Sequence, residues 1–158
     1  YSIVYSQDLP KNLSFICDIA EDYSHYTHDS ITDRYVVYNS NSRMEFFVLL
    51  TSPYCNDIKA WGGELPFAII VDPDNTIRQI VILPNNESPS WISSLEDIGF
   101  FETWNNYELK AAMNKRVDAV SGSTLTTDAV IKSINRRLSL YLKDDFAAPK
   151  KRLFKKKR

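Results

Sequence analysis

Apolar positions along this chain recur with two periods, and the alternation between them predicts the elements. Asp8-Leu9-Pro10 is a helix start, with proline in the first turn. Leu13, Ile16, Cys17 and Ala20 follow at i, i+3, i+4 and i+7, the spacing of one buried helix face. The polar segment 22–33 reads as a loop. Residues 34–38 (RYVVY) and 45–50 (EFFVLL) are β-branched and aromatic, and the Asn39-Ser40-Asn41-Ser42 turn between them makes a hairpin. Residues 51–63 are irregular and end in Trp61-Gly62-Gly63, where paired glycines point to a sharp turn or a close backbone approach. A second hairpin joins 66–71 (PFAIIV) to 77–83 (IRQIVIL) through Asp72-Pro73-Asp74-Asn75. The strand at 77–83 is apolar on nearly both faces, which predicts a central strand packed on both sides.

Ser88 then caps a helix with Pro89 at its first position. Trp91, Ile92 and Leu95 supply its apolar face, and Gly99 marks its end. Phe100, Phe101 and Trp104 follow as core candidates. The last helix runs from near Thr124 to about Leu142, with Leu125, Ala129, Val130, Ile134, Leu138 and Tyr141 in one stripe and Lys132, Asn135 and Arg136 facing away. The order helix, hairpin, hairpin, helix, helix predicts an α+β fold, an antiparallel sheet built from hairpins with flanking helices.

Composition changes this picture in few places. The 158 residues suit one compact domain. The net charge of -1 makes a general polyanion binder, and hence a nucleic-acid partner, an unsuitable reading. That total hides an asymmetry, because 149–158 is almost all Lys and Arg. Such a run reads as a solvated tail, or as a membrane-surface contact. Aromatics at 13% supply flat faces on which a planar ring could lie. Cys17 and Cys55 match no CxxC or zinc spacing, so two buried thiols are expected, or one disulfide in an oxidising compartment. His25 and His28 read as a solvated pair rather than a metal site. No apolar run is long enough to span a bilayer. Tyr1 looks like a start made by processing or by choice of boundaries, which places any targeting or anchoring segment outside this sequence. The organisation is an N-terminal helix and hairpin region (1–60), a ligand-bearing domain (61–145) and a basic tail (146–158).

One stretch carries chemistry: Asp118-Ala119-Val120-Ser121-Gly122-Ser123-Thr124-Leu125-Thr126-Thr127. A hydroxyl-rich turn leads into a long helix. Helix N-terminal N–H groups and the helix dipole favour an anion, and phosphate is the natural one. Gly122 lets the backbone approach it closely. Residue by residue, the same features also describe an ordinary helix cap.

The whole string resembles the flavinylation motif of the FMN-binding domain family, Asp-x-x-Ser-Gly-Ala-Thr-x-Thr. That family includes subunits of the sodium-pumping NADH:quinone oxidoreductase and of the Rnf electron-transfer complex. Asp118, Ser121, Gly122 and Thr126 match it, and Ser123 stands where Ala is usual. The resemblance implies that a flavin transferase moves FMN from FAD onto the hydroxyl of Thr124. Asp118, whose side chain can hold a turn by an Asx-type bond, is assigned to shaping the acceptor turn. A second patch, Asn86-Glu87-Ser88-Pro89-Ser90-Trp91, resembles the family's Glu-Thr-Pro-Gly segment, with Ser88 for Thr and Ser90 for Gly. It implies that Glu87 and Ser88 bond the isoalloxazine or ribityl part and that Trp91 packs on the ring. The resemblance covers roughly residues 61–142.

A threonine hydroxyl is a poor nucleophile, and nothing in the chain supplies a base for self-attachment. No histidine dyad, cysteine nucleophile or carboxylate pair suggests catalysis on a small molecule. The reading is therefore a redox carrier rather than a stand-alone catalyst: an extracytoplasmic, membrane-tethered electron-transport domain with covalent FMN. Its implied partners are the transferase and membrane or soluble redox proteins. Two alternatives are a domain that binds FMN without a covalent bond, and a cofactor-free surface binding or scaffold domain of the same fold.

Overall fold

Phe46 and Val48 point to one side of a sheet and Phe47 and Leu49 to the other, and all four are buried. This two-residue alternation with both faces covered organises the molecule. The protein is described here by a computed structural model over residues 3–6 and 8–157, with side-chain surroundings from residue 8 to residue 143. Expectations for the basic stretch 149–158 fall outside the described side chains.

The main sheet contains β1 (Ile3–Ser6), β2 (His25–Asp29), β3 (Arg34–Tyr38), β4 (Met44–Leu50), β7 (Phe67–Val71) and β8 (Ile77–Ile82), in the spatial order β1-β2-β3-β4-β7-β8. Every pairing is antiparallel. Between β4 and β7 the chain leaves the sheet and forms a small ribbon of β5 (Lys59–Ala60) and β6 (Gly63–Glu64). The α+β fold expected from the sequence is present.

Both expected hairpins form. At the first turn Asn39 Oδ1 accepts from the backbone N–H groups of Asn41 and Arg43 at 2.9 and 3.0 Å. At the second, Asp72 N donates to Thr76 O at 2.8 Å, and Asn75 takes the left-handed conformation with φ 65°.

The segment 22–33 is not a loop. It contains β2, which pairs with β1 on one side and β3 on the other. Cross-strand partners explain how so polar a strand holds: His25 lies opposite Tyr38 and His28 opposite Tyr35, and both pairs stack, with centroids 4.8 and 4.3 Å apart. His25 is buried, and His28 Nε2 meets Asp33 Oδ1 at 2.6 Å, so the two histidines are not a solvated pair. On a strand, i and i+3 fall on opposite faces and the rings diverge.

The central strand is also misassigned by periodicity. β7 is buried at all five positions, whereas β8 lies at the sheet edge. A strand's own apolar pattern reports which faces are covered, and says little about what lies beside it.

One face of the sheet packs on a 3₁₀ turn at Lys11–Leu13 and the single-turn helix α1 (Ile16–Ile19). The long N-terminal helix expected from the spacing is therefore broken. Leu13 and Ile16 are its buried anchors, while Cys17 is exposed. The other face carries α2 (Pro89–Asp97), α3 (Leu109–Asn114) and α4 (Thr124–Lys157). α3 went unmarked by periodicity. Ala129, Val130, Ile134, Leu138 and Tyr141 of α4 are buried as expected. Leu125 is 52% exposed instead, and Arg137, on the buried side, is 2% exposed. The Arg137 guanidinium donates to Leu50 O and Asp33 O at 2.7 Å each and lies over the Tyr54 ring, which offsets the cost of burying its charge. Among the described residues no helix is long and apolar enough to cross a membrane.

Candidate functional site

The hydroxyl-rich turn before α4 is held by its last threonine. Val120 N donates to Thr127 Oγ1 at 3.0 Å, and that hydroxyl donates to Ser123 O at 2.9 Å. Ser123 N closes the turn onto Val120 O at 2.9 Å. Gly122 has φ 86°, a region costly for a residue with a Cβ. Ser121, Gly122 and Thr124 are exposed, Ser123 is half-buried and Thr126 is buried. Thr124 is the first residue of α4 and presents its side chain to solvent.

Asp118, expected to shape this turn, does not contact it. Its side chain is 89% exposed, with Arg116 as a loose partner at 3.8 Å. Thr127 performs that task, having a hydroxyl that both accepts and donates within the first helical turn.

The second patch meets the first through Glu87. This carboxylate is 5% exposed. One oxygen accepts from the Thr126 hydroxyl at 2.5 Å, and the other accepts from Gly62 N. Glu87 N donates to Asn85 Oδ1 at 2.8 Å. Both oxygens expected to bond a ring or ribityl chain thus hold protein donors. Gly62 has no alternative residue here, because an added Cβ would collide with the Asn86 backbone and the Glu87 carboxylate. This is the close approach that the paired glycines predicted.

Ser88 stands at the N-cap of α2 without capping it. Its hydroxyl pairs instead with that of Ser90 at 2.9 Å, and both residues are exposed. Pro89 occupies the first position of the helix and Gly99 takes φ 74° after its end, as expected.

Together these elements frame a shallow groove of about 290 Å³, with Trp61 and Trp91 on one side and residues 122–126 on the other. The two indoles lie 5.8 Å apart between centroids, tilted by 52°. Trp61 is 68% exposed. Of the five large apolar residues that are exposed among those described, two, Trp61 and Leu125, border this groove. Exposed apolar surface concentrated at one concavity points to a ligand.

Sequence reasoning placed Thr124, Ser121, Gly122, Ser123, Thr126, Glu87, Ser88 and Trp91 at the site, and the fold brings their segments together. Trp61, Leu125, Gly62 and Thr127 were missed. Trp61 had a visible signal, since it precedes the paired glycines. Thr127 ends the Thr-x-Thr-Thr run.

The groove's chemistry suits a phosphorylated planar ring. The indoles offer flat apolar faces, and the start of α4 offers N–H groups without intrahelical acceptors together with a positive dipole end. A family model described as FMN-binding domain matches residues 60–139, which span both segments of the groove. Among solved structures, the crystal structure of Shewanella oneidensis NqrC aligns with a TM-score of 0.46 at 18% identity, covering 85% of this chain and 76% of that one. A comparison with curated proteins finds no match.

Proposed function

The chain belongs to the FMN-binding domain family, and on that premise we propose that it is an electron-transfer domain whose FMN is joined by a phosphoester to Thr124. The observation that carries this reading is the position of Thr124: an exposed hydroxyl on the first residue of α4, at the edge of the groove beside two tryptophans.

Attachment forms a bond between Thr124 Oγ1 and the FMN phosphorus of FAD and breaks the pyrophosphate. AMP leaves, and the hydroxyl proton goes to a base. Asp118 faces solvent and Glu87 is occupied by Thr126 and Gly62, so a flavin transferase is the source of that base. The phosphodiester keeps one negative charge, which a helix N-terminus stabilises by about 0.3–1 kcal/mol. When bound, the isoalloxazine supplies reversible electron uptake and release. Trp61 and Trp91 would hold it by apolar contact, and Thr127 and Gly122 keep the acceptor turn in shape. The clamped Glu87 acts through position rather than by contact.

The domain then serves redox partners on the extracytoplasmic side, tethered to a membrane by a segment outside this sequence. A covalent link suits that setting, where cofactor lost from the site has no ready supply.

The test is the intact mass of the denatured protein after co-expression with a flavin transferase, beside Thr124→Ala. A gain of FMN minus water, absent in the variant, is expected. Yellow colour released on denaturation would replace this reading with non-covalent binding, and a colourless protein would replace it with a cofactor-free domain. Proteolytic shaving of intact cells tests the compartment.

A further inference from the structure

β8 is an edge strand whose outer side is covered only at its start. Ile77 N donates to Tyr107 O at 2.9 Å and Asn106 N donates to Ile77 O at 2.7 Å. Beyond Ile77, no strand or loop among the described residues adds a backbone hydrogen bond on that side. Leu83 N donates to Pro66 O at 3.1 Å, back toward β7. Antiparallel ladders alternate, so Val81 and Gln79 also turn their backbone groups to β7, while Ile80 and Ile82 turn theirs outward. Natural proteins cover or blunt such edges, and an uncovered one is a template for another strand.

This edge is the floor of a cleft of about 480 Å³. Ile19 of α1 stands on one side, and Glu96 of α2, Phe101, Glu102 and Asn105 stand on the other. Glu96 and Glu102 are exposed, and neither has an ion-pair partner among the described residues. Asp18 and Glu21 flank Ile19 on the opposite side, and Asp97 follows Glu96. The nearest cation on the strand, Arg78, is already held by Asp72 and Glu45. Asn105 adds a buried Oδ1 without a hydrogen-bond partner.

We propose that the β8 edge binds an extended, basic segment of a partner protein by strand addition, with main-chain bonds to Ile80 and Ile82 and partner Lys or Arg side chains beside Glu96 and Glu102. Main-chain pairing supplies affinity, and the acidic rim selects charge and speeds encounter. The site is separate from the groove at Thr124, although α2 reaches both: Trp91 lines one and Glu96 the other. The inference does not depend on flavin attachment.

The experiment uses the whole protein and two capped peptides of the length of β8, one alternating lysine with valine, the other glutamate with valine. Binding is followed by fluorescence anisotropy, and amide hydrogen exchange is read at Ile80 and Ile82. The lysine peptide is expected to bind and to slow exchange at those two amides. The glutamate peptide is expected not to bind. Glu96→Lys with Glu102→Lys, both on exposed positions, is expected to weaken the lysine peptide about tenfold or more, and added salt to weaken it in the unmodified protein. Equal binding of both peptides, or binding without protection at Ile80 and Ile82, would overturn the proposal. Protection of those amides that rises with protein concentration and no peptide would also overturn it, in favour of a second copy of this chain as the occupant.

Discussion

Thr126 Oγ1 donates to Glu87 Oε1 at 2.5 Å, joining residues 39 apart in sequence and tying the first turn of α4 to the loop before α2. Gly62 N completes the clamp from the β5–β6 ribbon. Three segments distant in sequence thus meet at one buried carboxylate, and the groove at Thr124 lies among them.

Glu87→Ala removes the acceptor from two donors at once, and the expected loss is about 3 kcal/mol of stability. Thr126→Val removes one donor and leaves Glu87 its bond to Gly62, with an expected loss of about 1–2 kcal/mol. Urea unfolding curves check the ranking. A Glu87→Ala protein as stable as Thr126→Val would show that the clamp is not shared in this way.

Gly62→Ala and Gly63→Ala fail for different reasons. At Gly62 the methyl meets the Asn86 backbone, which cannot move without shifting the loop, and the cost is expected at about 1–3 kcal/mol together with loss of the clamp. At Gly63 nothing lies within reach, and only the backbone at φ 105° is strained. Both variants should lower the unfolding midpoint, but only Gly62→Ala should also expose the residue-62 amide, which the clamp holds, to hydrogen exchange.

Three substitutions around the acceptor separate its chemistry from its shape. Thr124→Ala should abolish the FMN mass gain and leave stability within about 0.5 kcal/mol, as for other exposed sites. Thr127→Val should lower both stability, by about 1–2 kcal/mol, and the yield of flavin transfer, since the turn loses its brace. Asp118→Asn should leave stability unchanged because the side chain faces solvent. A fall in transfer with Asp118→Asn would then mean that the transferase reads Asp118 directly.

Asp33 sets an acid limit on stability. Burial pushes its carboxyl up, but the hydrogen bonds from Tyr54 and His28 and the charges of His28 and Arg137 outweigh burial and hold it below its ordinary value of 3.8. A depressed carboxyl contributes stability above the unfolded value, and that contribution is lost as pH falls from 3.8 through the lower folded value. Thermal melts between neutral pH and the acid limb should show this loss. Asp33→Asn should be less stable at neutral pH and should flatten the acid limb. A parallel acid limb in the variant would assign it to other groups.

Thiol labelling distinguishes the two cysteines. Cys17 is exposed, whereas Cys55 is buried, its thiol pushed up by burial and its Sγ set 3.6 Å from Ser133 O. Maleimide should modify Cys17 in the folded protein and reach Cys55 only on unfolding. Early labelling of Cys55 would indicate local opening between the 51–58 segment and α4.

Local chemistry was readable where neighbours in sequence decide it. The Asp72–Asn75 turn, the proline start of α2, the glycine after its end and the stripe of α4 from Ala129 onward all follow from spacing and residue type. The motif at 118–127, and the family it resembles, were legible for the same reason. The tertiary structure alone decided which strands lie beside which. It made a strand of the polar segment at His25–Asp29 through pairing with β1 and β3, and it put β8 at the edge with β7 between it and β4. It alone brought Trp61 beside Trp91, buried Arg137 among backbone carbonyls, and gave the Glu87 carboxylate donors from Thr126 and Gly62. Each of these rests on partners distant in sequence. A residue's own pattern says which side of it is apolar, while the partner that satisfies its polar groups is set by the packing of the whole chain.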